Sequence, residues 1–193
     1  MLFRSLEEAT IAGMALGLMS QGKRSMSRFI QRRKVIELDL GSETDIALID
    51  AVMTSDQFIG ARALLDPSSL RAALLCRADP AGVGMTSLGG LLAPVSDSED
   101  AGLLVEFGEG GKTLTAPMIP GKMSNIPIAR CRRVGLDRTI TFEGPCALAL
   151  DGEREHVLTE GARLSMRVSR EGPGVVDIGG VLAAAARNKW FLK

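Results

Sequence analysis

The chain has 193 residues, 46% of them hydrophobic, which suits one domain with a substantial core or one domain plus a short appendage. Lys plus Arg and Asp plus Glu both number 23, so the basic surplus that nucleic acid or an anionic membrane selects is absent, and 4% aromatics with no Tyr argue against base-stacking platforms. Three dispersed cysteines, Cys76, Cys131 and Cys146, form no C-x-x-C pair; neither a zinc knuckle nor a disulfide framework follows, and a reducing compartment fits.

The chain opens like a helix, with Ser5 as cap, Glu7 and Glu8 in the first turn, and Leu6, Ala9, Met14 and Leu18 at helical spacing, ending near Gly22. The apolar run 11–19 is too short for a bilayer, which needs about 20 residues. The two glutamates stand where a signal peptide carries its basic region, so a cytoplasmic protein without a membrane partner is expected. Residues 23–34 hold six basic side chains and no acid. They read as a solvated connector or, less simply, as a phosphate-contacting patch, which as a nucleic-acid surface would require binding that falls steeply with salt.

From Val35 the period changes. Residues 35–40 alternate as a half-buried strand does, 46–53 read as a buried strand, and 58–65 as another. Residues 66–75 predict a short helix capped by Asp66 with Pro67 at its first position. Residues 103–107 and 113–118 flank Gly108-Glu-Gly-Gly-Lys112 as a hairpin, and strands follow at 127–134, 138–142, 146–150 and 162–168. The alanine-rich stretch 181–191 predicts a closing helix. No repeat of 20–50 residues is present. The fold class expected is mainly β (α+β): two sheets or a distorted sandwich flanked by helices at both ends.

Four signals bear on chemistry. The Gly-Glu-Gly-Gly-Lys-Thr run has Glu106 where a Walker loop needs glycine, and a strand follows it where the loop needs a helix, so it is a turn and not a phosphate loop. His156 is the only histidine and no G-x-S-x-G elbow accompanies it, which leaves no catalytic triad and no zinc set; an ordinary turn or strand-end residue is the plain reading. The run from Ala78 to Gly90 is either a glycine-rich bend between packed elements or a place where backbone approaches a ligand, with the Thr86 and Ser87 hydroxyls beside Gly89 and Gly90. Leu150-Asp-Gly-Glu153 ends an apolar strand with two carboxylates. They could bind Mg²⁺ or accept a hydroxyl proton, but Asp-Gly is also the standard hairpin dipeptide.

In order, these segments resemble the carboxyl-terminal region of the ATP-NAD kinase and diacylglycerol kinase family, in particular its acetoin-catabolism protein X subgroup. Leu2-Phe-Arg-Ser-Leu-Glu-Glu-Ala9 is similar to the link after the family's nucleotide domain. Ala47-Leu-Ile-Asp-Ala-Val52 sits where NAD kinases have Ala-Leu-Asn-Glu/Asp-Val; Asp50 keeps the acid, whereas Ile49 replaces the Asn. The 78–90 run, Leu150-Asp-Gly-Glu153 and 161–168 match later family segments. The family's Gly-Gly-Asp-Gly phosphate loop is not in this sequence, so the chain looks like the half that follows it.

The resemblance implies a first segment, 1–34, attached to an amino-terminal nucleotide-binding domain, a β-rich domain at 35–176 and a closing helix at 177–193. It implies Glu153 and Asp151 near the transfer site, and Asp50, Thr86, Ser87, Gly89, Gly90 and Gly152 around the acceptor, with no metal ligand assigned. ATP and Mg²⁺ would belong to the complete protein. Expected partners are the amino-terminal domain, further copies of the chain, and a small hydroxyl-bearing acceptor such as NAD. The function implied is the acceptor-binding and oligomerisation half of a phosphotransferase, inactive alone; the alternative is a ligand-binding or assembly domain that keeps the fold without the chemistry.

Overall fold

The computed structural model describes residues 9–21, 24–55, 66–119 and 121–192. Within them the chain divides into two units, one made of its two ends up to residue 33 and from 173, the other of residues 34–172. The strand expected at 58–65 and the Ser5 cap lie outside the described residues.

The unit of the two ends starts with α1 (Ala9–Ser20) and a 3₁₀ turn, Arg24–Phe29, which leads into strand β1 (Ile30–Arg32). β1 pairs antiparallel with β12 (Gly174–Val176), Ile30 opposite Val176. The closing helix α3 (Ile178–Arg187) begins earlier than alanine propensity suggests, because the Asp177 carboxylate accepts from Gly180 N at 2.9 Å and caps it there. Ala15 and Val181 are fully buried between α1 and α3, with Leu18, Phe29 and Trp190 packed around them.

The larger unit consists of two antiparallel sheets. The four-stranded sheet has the order β3-β2-β11-β8, with β2 (Val35–Asp39), β3 (Thr44–Ala47), β8 (Ile140–Glu143) and β11 (Arg163–Ser169). The six-stranded sheet has the order β10-β9-β4-β5-β6-β7, with β4 (Asp50–Thr54), β5 (Leu70–Leu75), β6 (Ala101–Ile119), β7 (Lys122–Gly135), β9 (Cys146–Leu150) and β10 (Arg154–Leu158). Alternate residues of the two sheets, among them Ile36, Leu38, Leu164 and Met166 against Met53, Leu74, Leu148 and Leu150, share one hydrophobic cluster. The protein is therefore mainly β, as the density of strand signals predicts.

The other face of the six-stranded sheet is covered too. Val52, Ala73, Leu75, Leu103, Val105, Ala147 and Ala149 pack with Met85 and Leu88 of α2 (Met85–Leu92). Burial on both faces corrects two expectations. Residues 66–75 are not a helix: Asp66 caps a single 3₁₀ turn, Pro67–Ser69, and Leu70–Leu75 is strand β5. Its Leu-Arg-Ala-Ala-Leu-Leu sequence lacks alternation because both faces are apolar, so its alanines and leucines read as helical. Likewise 46–53 is not one strand, since β3 and β4 belong to different sheets and the chain crosses between them at Leu48 and Ile49.

The glycine run 108–112 is not a hairpin turn. It is a bulge inside β6: both Phe107 and Lys112 stand opposite Ile128, and Gly108 and Gly110 take positive φ. The reversal lies beyond Ile119, which pairs with Lys122. A further correction concerns the basic connector. Lys34 is buried, and its ammonium donates to Ser96 O at 2.9 Å and Ala101 O at 2.6 Å, tying the loop before β6 to the start of β2.

Candidate functional site

The site grows from the hairpin joining β9 to β10. Its turn, Leu150 to Glu153, closes with Glu153 N donating to Leu150 O at 3.0 Å. Asp151 and Gly152 have φ of 55° and 71°, the left-handed pair that an Asp-Gly type I′ turn uses. The hairpin reading of this dipeptide is therefore right as local structure.

The Asp151 carboxylate has a second role. It accepts from Leu48 N at 2.9 Å, from Ile49 N at 2.7 Å and from Asp50 N at 3.2 Å, while Asp151 N donates to Asp50 O at 3.0 Å. Three consecutive amides of the β3–β4 crossover converge on one carboxylate, as in an anion nest. Lower down the same hairpin, His156 Nε2 lies 2.9 Å from Asp45 Oδ2, its Nδ1 lies 3.3 Å from Glu43 Oε1, and Arg154 pairs with Asp45. Burial pushes the Asp45 carboxyl upward, but hydrogen bonds from His156, Ile46 N and Arg154 outweigh it and hold the group below its ordinary value. His156 is thus a structural residue joining the edge strands β3 and β10 of the two sheets.

These links place Asp50 at the wall of a cleft of about 410 Å³ between the six-stranded sheet and the loop leading into α2. Asp50, Asp151 and Gly152 line it together with Ile49, Arg77, Asp79, Thr86 and residues 81–85. Asp50 is half-buried, and its carboxylate makes no hydrogen bond or ion pair among the described residues. Burial, reinforced by the neighbouring Asp151 carboxylate, pushes the Asp50 carboxyl up to about 6. A proton acceptor near neutrality is the chemistry such a group can supply.

Four of the residues singled out in the sequence, Asp50, Thr86, Asp151 and Gly152, therefore meet in one cleft. Ser87, Gly89, Gly90 and Glu153 do not line it. Ser87 is buried, with its hydroxyl 3.4 Å from Pro80 O. Gly89 and Gly90 lie in α2, where a Cβ on Gly90 would come within 2.2 Å of Pro80 N; here the glycine serves close packing. Glu153 is exposed at the end of the turn. Arg77 and Asp79 belong to the cleft without having carried a signal of their own, although Asp79-Pro-Ala-Gly82 is turn-forming: the Asp79 carboxylate accepts from Ala81 N at 2.9 Å.

A larger groove, about 780 Å³, lies elsewhere, along Glu37, Asp39, Asp45, Ser165 and Arg167 of the four-stranded sheet. Its principal ionic groups already satisfy one another, since Glu37 accepts from Ser169 and from both Nε and Nη2 of Arg167. The smaller cleft, with its unengaged acid, is the better candidate. The cysteines offer no nucleophile; burial pushes the Cys76 thiol up to about 12. Among the described residues no group of three or more His, Cys, Asp or Glu could hold a metal ion, and the Asp151 oxygens accept from the amides of the crossover. No helix among the described residues is long and apolar enough to cross a membrane.

Residues 34–171 match the family of the acetoin catabolism protein X C-terminal domain. The chain is also 32% identical, over 195 aligned residues, to the acetoin catabolism protein X of Cupriavidus necator, a match covering 96% of this chain and 54% of that protein. The chain thus spans about half the length of that curated relative. The matched residues nearly coincide with the two-sheet unit, 34–172. The chain belongs to the acetoin catabolism protein X C-terminal domain family.

Proposed function

We propose that this chain is the acceptor-binding half of a nucleotide-dependent phosphotransferase, acting in acetoin catabolism as the relative's name suggests. The carrying observation is the Asp50 carboxyl, pushed up to about 6 by burial in a cleft whose other acids are already engaged. Phosphoryl transfer to a hydroxyl needs a positioned acceptor and a group to receive its proton. Asp50 takes that role, Thr86 lies in the same wall, and Asp151 holds the crossover that carries Asp50. The nucleotide, its Mg²⁺ and the loop that binds them belong to an amino-terminal domain, and assembly into oligomers through this half completes the proposal. The likeness of 47–52 and 150–153 to kinase segments supports it.

The test is twofold. The purified chain should show no phosphoryl transfer from ATP to any hydroxyl compound, and transfer should appear when the chain is part of a full-length family protein. Turnover by the chain alone would contradict the division of labour.

A second reading, a ligand-binding or assembly domain without chemistry, is favoured by Ile49. It puts a hydrocarbon side chain in the cleft wall where the kinase segment carries an Asn amide. Ligand binding with no transfer in the full-length protein would select it.

A further inference from the structure

The lining of the cleft restricts what enters it. Ile49, Val52, Val83, Met85 and Ala149 make most of the wall hydrocarbon. Of the charged groups there, three are engaged: Asp151 by the amides of 48–50, Asp79 by Ala81 N, and Arg77 by Asp97 Oδ2 at 3.5 Å. Asp50 is left facing the space.

Resting on the reading of this cleft as the acceptor site, we propose that it takes a small, uncharged hydroxy compound with a short hydrocarbon body, its hydroxyl hydrogen-bonded to Asp50, and rejects anions, dinucleotides included. Its volume of about 410 Å³ lies toward the lower end of the roughly 300–1,000 Å³ typical of small-molecule sites. A neutral ligand lays its methyl or methylene groups against Ile49 and Val83 while its hydroxyl meets the Asp50 carboxyl, the one in the lining without a partner among the described residues. An anion of the same size would approach Asp50 and Asp151 between apolar walls that screen charge poorly, and Arg77, the single cation in the lining among the described residues, is shared with Asp97. A dinucleotide brings two phosphates to the same place.

The experiment titrates the chain with 2,3-butanediol, with lactate as an anion of similar size, and with NAD, following the amide resonances of residues 49–52 and 82–86. The diol should move them with a midpoint of order millimolar, at least about tenfold below that of lactate. Asp50→Asn replaces the carboxylate with a neutral amide that can still hydrogen-bond a hydroxyl, and should narrow the gap to less than about threefold, mainly by admitting lactate. Asp50→Leu should abolish the diol response. The wild-type comparison decides the matter even if a variant misfolds. Lactate or NAD moving these amides at or below the diol's concentration overturns the proposal, as does no response to diol up to about 50 mM. Diol binding without phosphoryl transfer in the full-length protein leaves this inference standing and removes the phosphotransferase reading. Transfer to an anionic acceptor does the reverse.

Discussion

Asp151 and Asp50 are neighbours with opposite histories of solvation. Asp151 exchanges water for three backbone amides, whereas Asp50 loses water without gaining a partner among the described residues. Asp151→Ala should therefore cost about 2–4 kcal/mol in a urea unfolding experiment, as loss of a charge-assisted cluster that leaves amides unpaired. Asp50→Asn should act in the other direction. Its folded carboxyl is raised to about 6, above the unfolded value, so its contribution to stability is fully present below about pH 4 and lost as pH rises through 6. The Asn variant is neutral throughout; it should match the wild type near pH 4 and exceed it by up to about 3 kcal/mol at pH 7, read from paired denaturation curves. The Asp-Gly dipeptide announced its turn in the sequence because turn geometry is local. The Asp151 carboxylate's partners lie 101–103 residues away, and no local pattern points to them.

Two-sided burial explains most differences at the scale of elements. Strands β5 and β9 are apolar on both faces, which erases the alternation that identified β2. Glycine clusters were equally ambiguous: in β6 they form a bulge, and in 78–90 they shape a bend and then a helix, α2, that the glycine content concealed. In that helix Gly90 packs against the backbone of Asp79 and Pro80, which cannot step aside as a side chain can. Gly90→Ala should destabilise the protein by about 1–3 kcal/mol in urea and shift the resonances of 79–86, which border the cleft, before it affects the four-stranded sheet. An unchanged unfolding midpoint would show that α2 is free to move away from the Asp79 bend.

For the whole molecule, both large hydrophobic clusters lie within residues 34–172, which is also nearly the span of the family match. A fragment of those residues should keep a cooperative urea transition, with an m-value in proportion to its size; a broad, non-cooperative transition would contradict its standing as a folding unit. The mainly β class was legible from the number and spacing of strands. The pairing of the two chain ends, Ile30 with Val176, was not, because β1 and β12 are each only three residues long and too short to carry a period. The central claim is that Asp50 receives the acceptor hydroxyl, and one measurement tests it most directly: phosphoryl transfer from ATP to a short neutral hydroxy compound by a full-length family protein carrying this chain, with and without Asp50→Asn. Transfer by the wild type, and a fall in kcat of order hundredfold or more in a variant that remains folded, is the result predicted. Full activity in the variant, or no transfer by the wild type to any hydroxyl compound, would contradict it.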